Sequence, residues 1–195
     1  MNRIITIGRE FGSGGRTIAK MTGEKLGISV YDNELLAKIA EESGFAKEYI
    51  SEKSEHTSLG DLVARGLSGF GNYSQMTADA YLWKMQRKVI IELAEKESCI
   101  IVGRCADYIL KDKADLLKVF IYADLNKRAE RVTSVYGDAS SKTPEKRVKD
   151  KDKRRGAFYS YYTDMVWGDP HNYNICLDSG VLGFERCRDI LCSLY

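Results

Sequence analysis

The chain has 195 residues, of which 44% are apolar and 30% charged, with a formal charge of +2. That length predicts one domain of ordinary size with a small mobile insertion. The balance excludes both a disordered chain and a global field for nucleic acid, so any basic surface is local. Aliphatic runs such as Ile100-Ile101-Val102 are short and the chain starts directly on a strand pattern, which predicts a cytoplasmic protein with no signal peptide or membrane span.

The first strand pattern, Ile4-Ile5-Thr6-Ile7, runs into Gly8-Arg9-Glu10-Phe11-Gly12-Ser13-Gly14-Gly15-Arg16-Thr17 and then a helical pattern over residues 15–26, closed by Gly27. Strand, glycine-rich turn and helix in that order build a phosphate cradle, because glycines let successive backbone N–H groups face phosphate oxygens and the helix adds its positive end. Gly12, Ser13, Gly14, Gly15, Arg16 and Thr17 are therefore the predicted nucleotide-binding residues.

The pattern departs from the P-loop rule of glycine, four residues, glycine, lysine and then serine or threonine. One register runs from Glu10 to Thr17, with Arg16 as the cation and Thr17 as the hydroxyl for a metal, and with Glu10 where the first glycine belongs. The other follows Gly12-Ser13-Gly14 and Thr17-Ile18-Ala19-Lys20, and puts Gly15 in the lysine's place and Arg16 in the hydroxyl's. Arg16 is the expected phosphate cation in either. Arginine binds phosphate as a planar fork rather than as a point charge, so the exchange is not neutral.

Residues 28–31 form a short strand that ends at Asp32, followed by a helix up to Gly44. Residues 56–75 collect Gly60, Gly66, Gly69 and Gly71 among serines and predict a mobile segment. Tyr81, Met85, Val89 and Leu93 mark a long helix, residues 99–102 a strand ending at Gly103-Arg104, residues 116–123 a further strand, and residues 125–136 a helix bearing Arg128 and Arg131. Beyond a polar loop, Thr143-Pro144-Glu145 starts a basic helix. Arg154-Arg155 there precede the aromatic run Phe158 to Tyr162, so that aromatics anchor the segment while arginines reach phosphate; its lysines read equally as a solvated face. Interleaved basic and aromatic residues also suit single-stranded nucleic acid, a reading ranked lower because of the acids among them. Residues 174–178 are the last strand and 184–194 the last helix.

Five apolar strands alternating with helices predict an α/β fold, a three-layer sandwich about a parallel sheet. Right-handed crossovers bring the strands' C-terminal ends, and with them residues 12–17, Asp32, Arg104 and the start of the 125–136 helix, to one edge. Asp32 reads both as a helix cap and as a substrate ligand. The five cysteines lack CxxC spacing, which predicts neither disulfides nor zinc; Cys105 reads as a buried apolar residue, or as a thiol activated by Arg104. His56 and His171 are remote from every motif, which removes nucleophilic triads.

The residues Gly8 to Arg16, Tyr31-Asp32, Ile101-Val102-Gly103-Arg104 and Tyr161-Tyr162 through Trp167-Gly168 together resemble the cytidylate kinase-like family of P-loop proteins over nearly the whole chain. The resemblance implies a five-stranded P-loop NTPase core, a flap at about residues 48–75 and a LID at about residues 137–169. It also implies ATP as donor, with Mg²⁺, and CMP or dCMP as the leading acceptor, in a single domain. It places Arg104 and Asp32 at the acceptor, with Arg104 at its phosphate, and Arg128 or Arg131 with Arg154 or Arg155 around the transferring phosphoryl group. Arg128 and Arg131 read equally as exposed helix residues. Arg65, Asn72 and Gln75 are the flap residues that would read a pyrimidine. Such kinases carry Asp after the Gly-Arg pair where this chain has Cys105, which leaves Asp107, Asp32 and Glu10 as acids near a metal held mainly by ATP and water. Two alternatives stand beside the kinase: a nucleotide-binding sensor with little turnover, and a kinase for another small acceptor.

Overall fold

The computed structural model describes residues 2–43, 78–137 and 142–195. The expected flap, with His56, Arg65, Asn72 and Gln75, lies outside the described residues, as does most of the polar loop that opens the expected LID. In chain order the elements are β1 (Arg3–Arg9), α1 (Gly15–Leu26), β2 (Ser29–Tyr31), α2 (Asn33–Ser43), α3 (Ala78–Lys96), β3 (Cys99–Val102), α4 (Ala106–Ile109), β4 (Asp115–Tyr122), α5 (Leu125–Tyr136), α6 (Pro144–Thr163), a 3-10 turn (Pro170–Asn172), β5 (Ile175–Asp178), α7 (Ser179–Leu182) and α8 (Phe184–Leu194).

The strands form one parallel sheet in the order β2-β3-β1-β4-β5. Side chains alternate between its faces, and each face has its own core. Ile4, Cys99 and Ile101 pack with Leu35, Ile39, Val89 and Ile90 beneath α2 and α3, while Ile5, Ile7, Ile100, Val102 and Ile121 pack with Ile18, Ala19, Cys187 and Leu191 beneath α1 and α8. Both faces of a parallel sheet are thereby covered, which makes three layers.

Helix α6 starts as its sequence dictates. The Thr143 hydroxyl accepts the Lys146 N–H at 3.3 Å, with Pro144 in the first turn. Its far end is pinned by aromatics: Trp83 of α3 stacks on Tyr162 at 4.1 Å and meets Phe158 edge-on at 6.3 Å. The aromatic run therefore anchors the basic segment, as expected. With Phe158 and Tyr159 buried, it does not offer the row of open rings that single-stranded nucleic acid would stack on. The described cysteines are free thiols. Among the described residues, no helix is long and apolar enough to cross a membrane.

Candidate active site

The glycine turn leaves β1 at Glu10 and enters α1 at Gly15, with Gly12 at φ 84° and Gly14 at φ 77°, a region that side chains rarely adopt. Packing alone demands both glycines. A Cβ on Gly12 would lie 2.6 Å from the Arg128 carbonyl oxygen, and one on Gly14 would lie 2.5 Å from the Phe184 ring. Ser13 closes the turn by donating to the Glu10 carbonyl at 2.9 Å, and Ser179 donates to the Ser13 carbonyl at 2.6 Å, tying the turn to the end of the sheet.

Arg128 is not the exposed helix residue that its position on α5 allowed. It is buried, donates from Nε to the Ala123 carbonyl at 2.8 Å, lies 3.2 Å from Glu10 Oε2, and reaches Asp152 Oδ2 of α6 at 2.5 Å from Nη1. Asp152 also accepts the Phe11 N–H at 2.7 Å. Two carboxylates hold Arg128 as a brace between α5, α6 and the turn. Burial pushes both of those carboxyls above their ordinary range, against the pull of Arg128.

Arg131 donates to Thr17 Oγ1 at 2.9 Å and lies 4.5 Å over the Phe184 ring. The hydroxyl expected at a metal thus accepts from a guanidinium. Arg16, in the first turn of α1, pairs with Asp32 and stays half exposed. Asp32 is nearly buried and also faces Arg9 Nη2 at 3.9 Å.

β3 ends in a turn of three successive left-handed residues, Gly103 (φ 76°), Arg104 (φ 62°) and Cys105 (φ 54°). Two of them carry side chains, and such strain persists only where the surroundings fix it. Here the Gly103 N–H donates to the Ile7 carbonyl at 3.0 Å and the buried Gln86 donates to the Arg104 carbonyl at 3.0 Å. Arg104 is buried and lines an open cleft together with Arg9, Arg155, Asp107, Tyr159 and Tyr173. Arg155 donates to the Arg9 carbonyl at 3.1 Å and covers the Phe11 ring at 5.7 Å, whereas Arg154 is exposed on α6. The site therefore gathers Arg104 and Arg155 in one cleft and Arg16 with Asp32 beside it, and leaves Arg128, Arg131 and Arg154 outside that lining.

Asp107, read from the sequence as an acid near a metal, lines the cleft with Tyr159 and Tyr173, a grouping not expected from the sequence. Tyr159 donates to Asp107 Oδ2 at 2.7 Å, and burial pushes the Asp107 carboxyl up. The buried Tyr173 hydroxyl makes no hydrogen bond of ordinary geometry among the described residues. Burial also drives the Cys105 thiol well up, with Asp107 adding to the shift, so Arg104 does not activate it. Arg9 was overlooked as a site residue, although a signal existed. Strand alternation from Ile5 and Ile7 puts an arginine next in line on a covered face, at the functional edge of the sheet. Among the described residues, no group of three His, Cys, Asp or Glu side chains is placed to hold a metal.

A parallel sheet in this order, with a glycine turn after its first strand and arginines at the strand ends, defines a kinase-like P-loop fold. The chain belongs to the cytidylate kinase-like family, whose model matches residues 4–181. A cytidylate kinase of Archaeoglobus fulgidus is 27% identical over 191 residues, covering 96% of this chain and 91% of that protein. The structure of an uncharacterized protein from Eubacterium ventriosum is similar, with a TM-score of 0.72 and 31% identity over 99% of this chain and 98% of the other. Shikimate kinase from Bacteroides thetaiotaomicron shares the fold, with a TM-score of 0.58 and 16% identity over 99% and 97%.

Proposed function

We propose that the protein transfers the γ-phosphoryl group of ATP, entering as its magnesium complex, to a nucleoside monophosphate, with CMP or dCMP the leading acceptor. The observation that carries this reading is the cleft at the C-terminal ends of β1 and β3. There Arg9 of β1, Arg104 of the turn after β3 and Arg155 of α6 converge, close to a glycine turn and the start of α1. Phosphoryl transfer needs positioned positive charge and exclusion of water more than it needs a base, and this site is rich in guanidinium groups. The likeness to an archaeal cytidylate kinase favours a pyrimidine monophosphate as acceptor.

In this reading the backbone of residues 12–17, with Arg16, receives the triphosphate. Arg104 takes the acceptor phosphate and Asp32 orients the acceptor. Arg155 and Arg154 serve the transferring group from the LID, residues 137–169, and the flap is residues 48–75. An acceptor phosphate oxygen forms a bond to the γ-phosphorus while the bond from that phosphorus to the bridging oxygen breaks, leaving its electron pair on ADP. A phosphate dianion has no proton to lose, so no base is required.

A second reading, a nucleotide sensor with little turnover, is favoured by the absence of a cation at residue 15 and by Cys105 in place of an acid. The two are separated by ADP formation with Mg²⁺, ATP and each nucleoside monophosphate in turn. Turnover stimulated by CMP or dCMP is expected; a folded protein that binds ATP and is silent with every acceptor is the sensor.

A further inference from the structure

In the register that follows the helix, the P-loop lysine falls on Gly15. A side chain there has no room, because a Cβ on Gly15 would lie 2.6 Å from Arg9 Cβ and 3.0 Å from Arg9 Cγ. The stem of Arg9 fills, from the end of β1, the space into which a side chain at residue 15 would start. Its guanidinium continues over Gly103, where any Cβ would overlap it, and faces Asp32 at 3.9 Å inside the arginine-lined cleft. Gly15 and Gly103 thus both leave space for one side chain. Burying a cation in this way is costly as a means of stability alone.

We infer that Arg9 supplies the cation for the β- and γ-phosphates of a bound triphosphate, delivering from the strand the charge that a lysine delivers from the helix in an ordinary P-loop. This rests on the nucleotide reading above and adds to it the residue that replaces the lysine. A guanidinium gives and takes no proton in the transfer; its fork neutralises the charge that gathers on the non-bridging and leaving oxygens as the bond to ADP breaks. Asp32, shared between Arg9 and Arg16, acts as a positioning residue that orients the fork.

The test is calorimetric binding of a non-hydrolysable ATP analogue and of AMP to four folded proteins: wild type, Arg9→Met, Gly15→Lys, and the double variant Arg9→Gly/Gly15→Lys, in which the Cβ that blocks residue 15 is gone. Methionine keeps an unbranched stem against Gly15 and removes the charge. Arg9→Met is expected to weaken the analogue by about tenfold or more while leaving AMP nearly unchanged, the size of a lost charge-assisted contact. Gly15→Lys alone is expected to lower the melting temperature through its clash with Arg9. The double variant relieves that clash and recovers analogue affinity toward the wild-type value.

The inference is overturned if folded Arg9→Met binds the analogue as tightly as wild type does, if the double variant binds it no better than Arg9→Met, or if wild type itself does not bind it. ADP formation across the monophosphates judges the kinase reading separately. A silent wild type with Arg9-dependent analogue binding discards turnover and keeps the role of Arg9. Turnover alongside analogue binding indifferent to Arg9 keeps the kinase and discards that role.

Discussion

Arg128 Nη1 of α5 lies 2.5 Å from Asp152 Oδ2 of α6, and the other oxygen of that carboxylate accepts the Phe11 N–H of the glycine turn at 2.7 Å. One carboxylate thus locks the basic helix onto the turn that precedes α1. Asp152→Ala removes both partners at once and leaves a buried guanidinium with Glu10 as its remaining carboxylate, so it is expected to cost about 2–4 kcal/mol. Asp152→Asn keeps an acceptor for Phe11 and is expected to cost less. Urea unfolding of the two variants checks the order; equal stability of both with wild type would show that the brace carries no weight.

Much of the fold was legible because its elements carry strong local signals. The strand Cys99–Val102 is an apolar run between charged and glycine residues, and the helices Leu125–Tyr136 and Phe184–Leu194 are bounded by Asp124, Gly137 and Gly183. Helices Ala106–Ile109 and Ser179–Leu182 were missed because a single turn is too short to show a 3.6-residue period. In the site, Arg104 was legible because it ends a strand. The burial of Arg128 was not, since it depends on Glu10 and Asp152, which only the tertiary structure brings to α5. The grouping of Asp107 with Tyr159 and Tyr173 was hidden for the same reason, since it joins α4, α6 and the segment before β5.

Gly14 tests whether the glycine turn is shaped by protein packing. Gly14→Ala must adopt φ 77° and place a Cβ 2.5 Å from the Phe184 ring, so a loss of about 1–3 kcal/mol is expected in thermal or urea unfolding. In a double-mutant cycle with Phe184→Ala, the cost of Gly14→Ala is expected to shrink, because the ring clash is gone while the backbone strain remains. Strict additivity would mean that the ring yields without cost and that only the backbone matters.

The buried carboxyl of Asp107 gives a pH dependence of definite sign. Burial raises its pKa from 3.8, so between that value and the folded-state value the native protein holds the proton that the unfolded chain has released. Its contribution is present in full at low pH and is lost as pH rises through the folded value. Asp107→Asn abolishes this dependence while Glu10 and Asp152 titrate in both proteins. The stability of wild type minus that of Asp107→Asn is therefore expected to fall as pH rises above about 4 and then to level off. A difference that grows with pH would mean that hydrogen bonds to the carboxylate, from Tyr159 and the backbone, outweigh burial.

Arg104 carries the sharpest functional prediction, because its buried guanidinium reaches the cleft from a turn of three left-handed residues that Gln86 holds in place. If it contacts the acceptor phosphate during transfer, Arg104→Ala is expected to lower kcat/KM for the acceptor by about a hundredfold, or about 2.7 kcal/mol of transition-state stabilisation, while ATP affinity stays nearly intact. Gln86→Ala leaves Arg104 chemically unchanged but frees its carbonyl from the hydrogen bond that fixes the turn, so a smaller loss in the same direction is expected. Steady-state ADP formation with CMP and dCMP, together with calorimetric ATP binding, reads both effects. Full activity in Arg104→Ala would move the acceptor phosphate to another guanidinium of the cleft. Loss of ATP binding alongside activity would place Arg104 on the donor side instead.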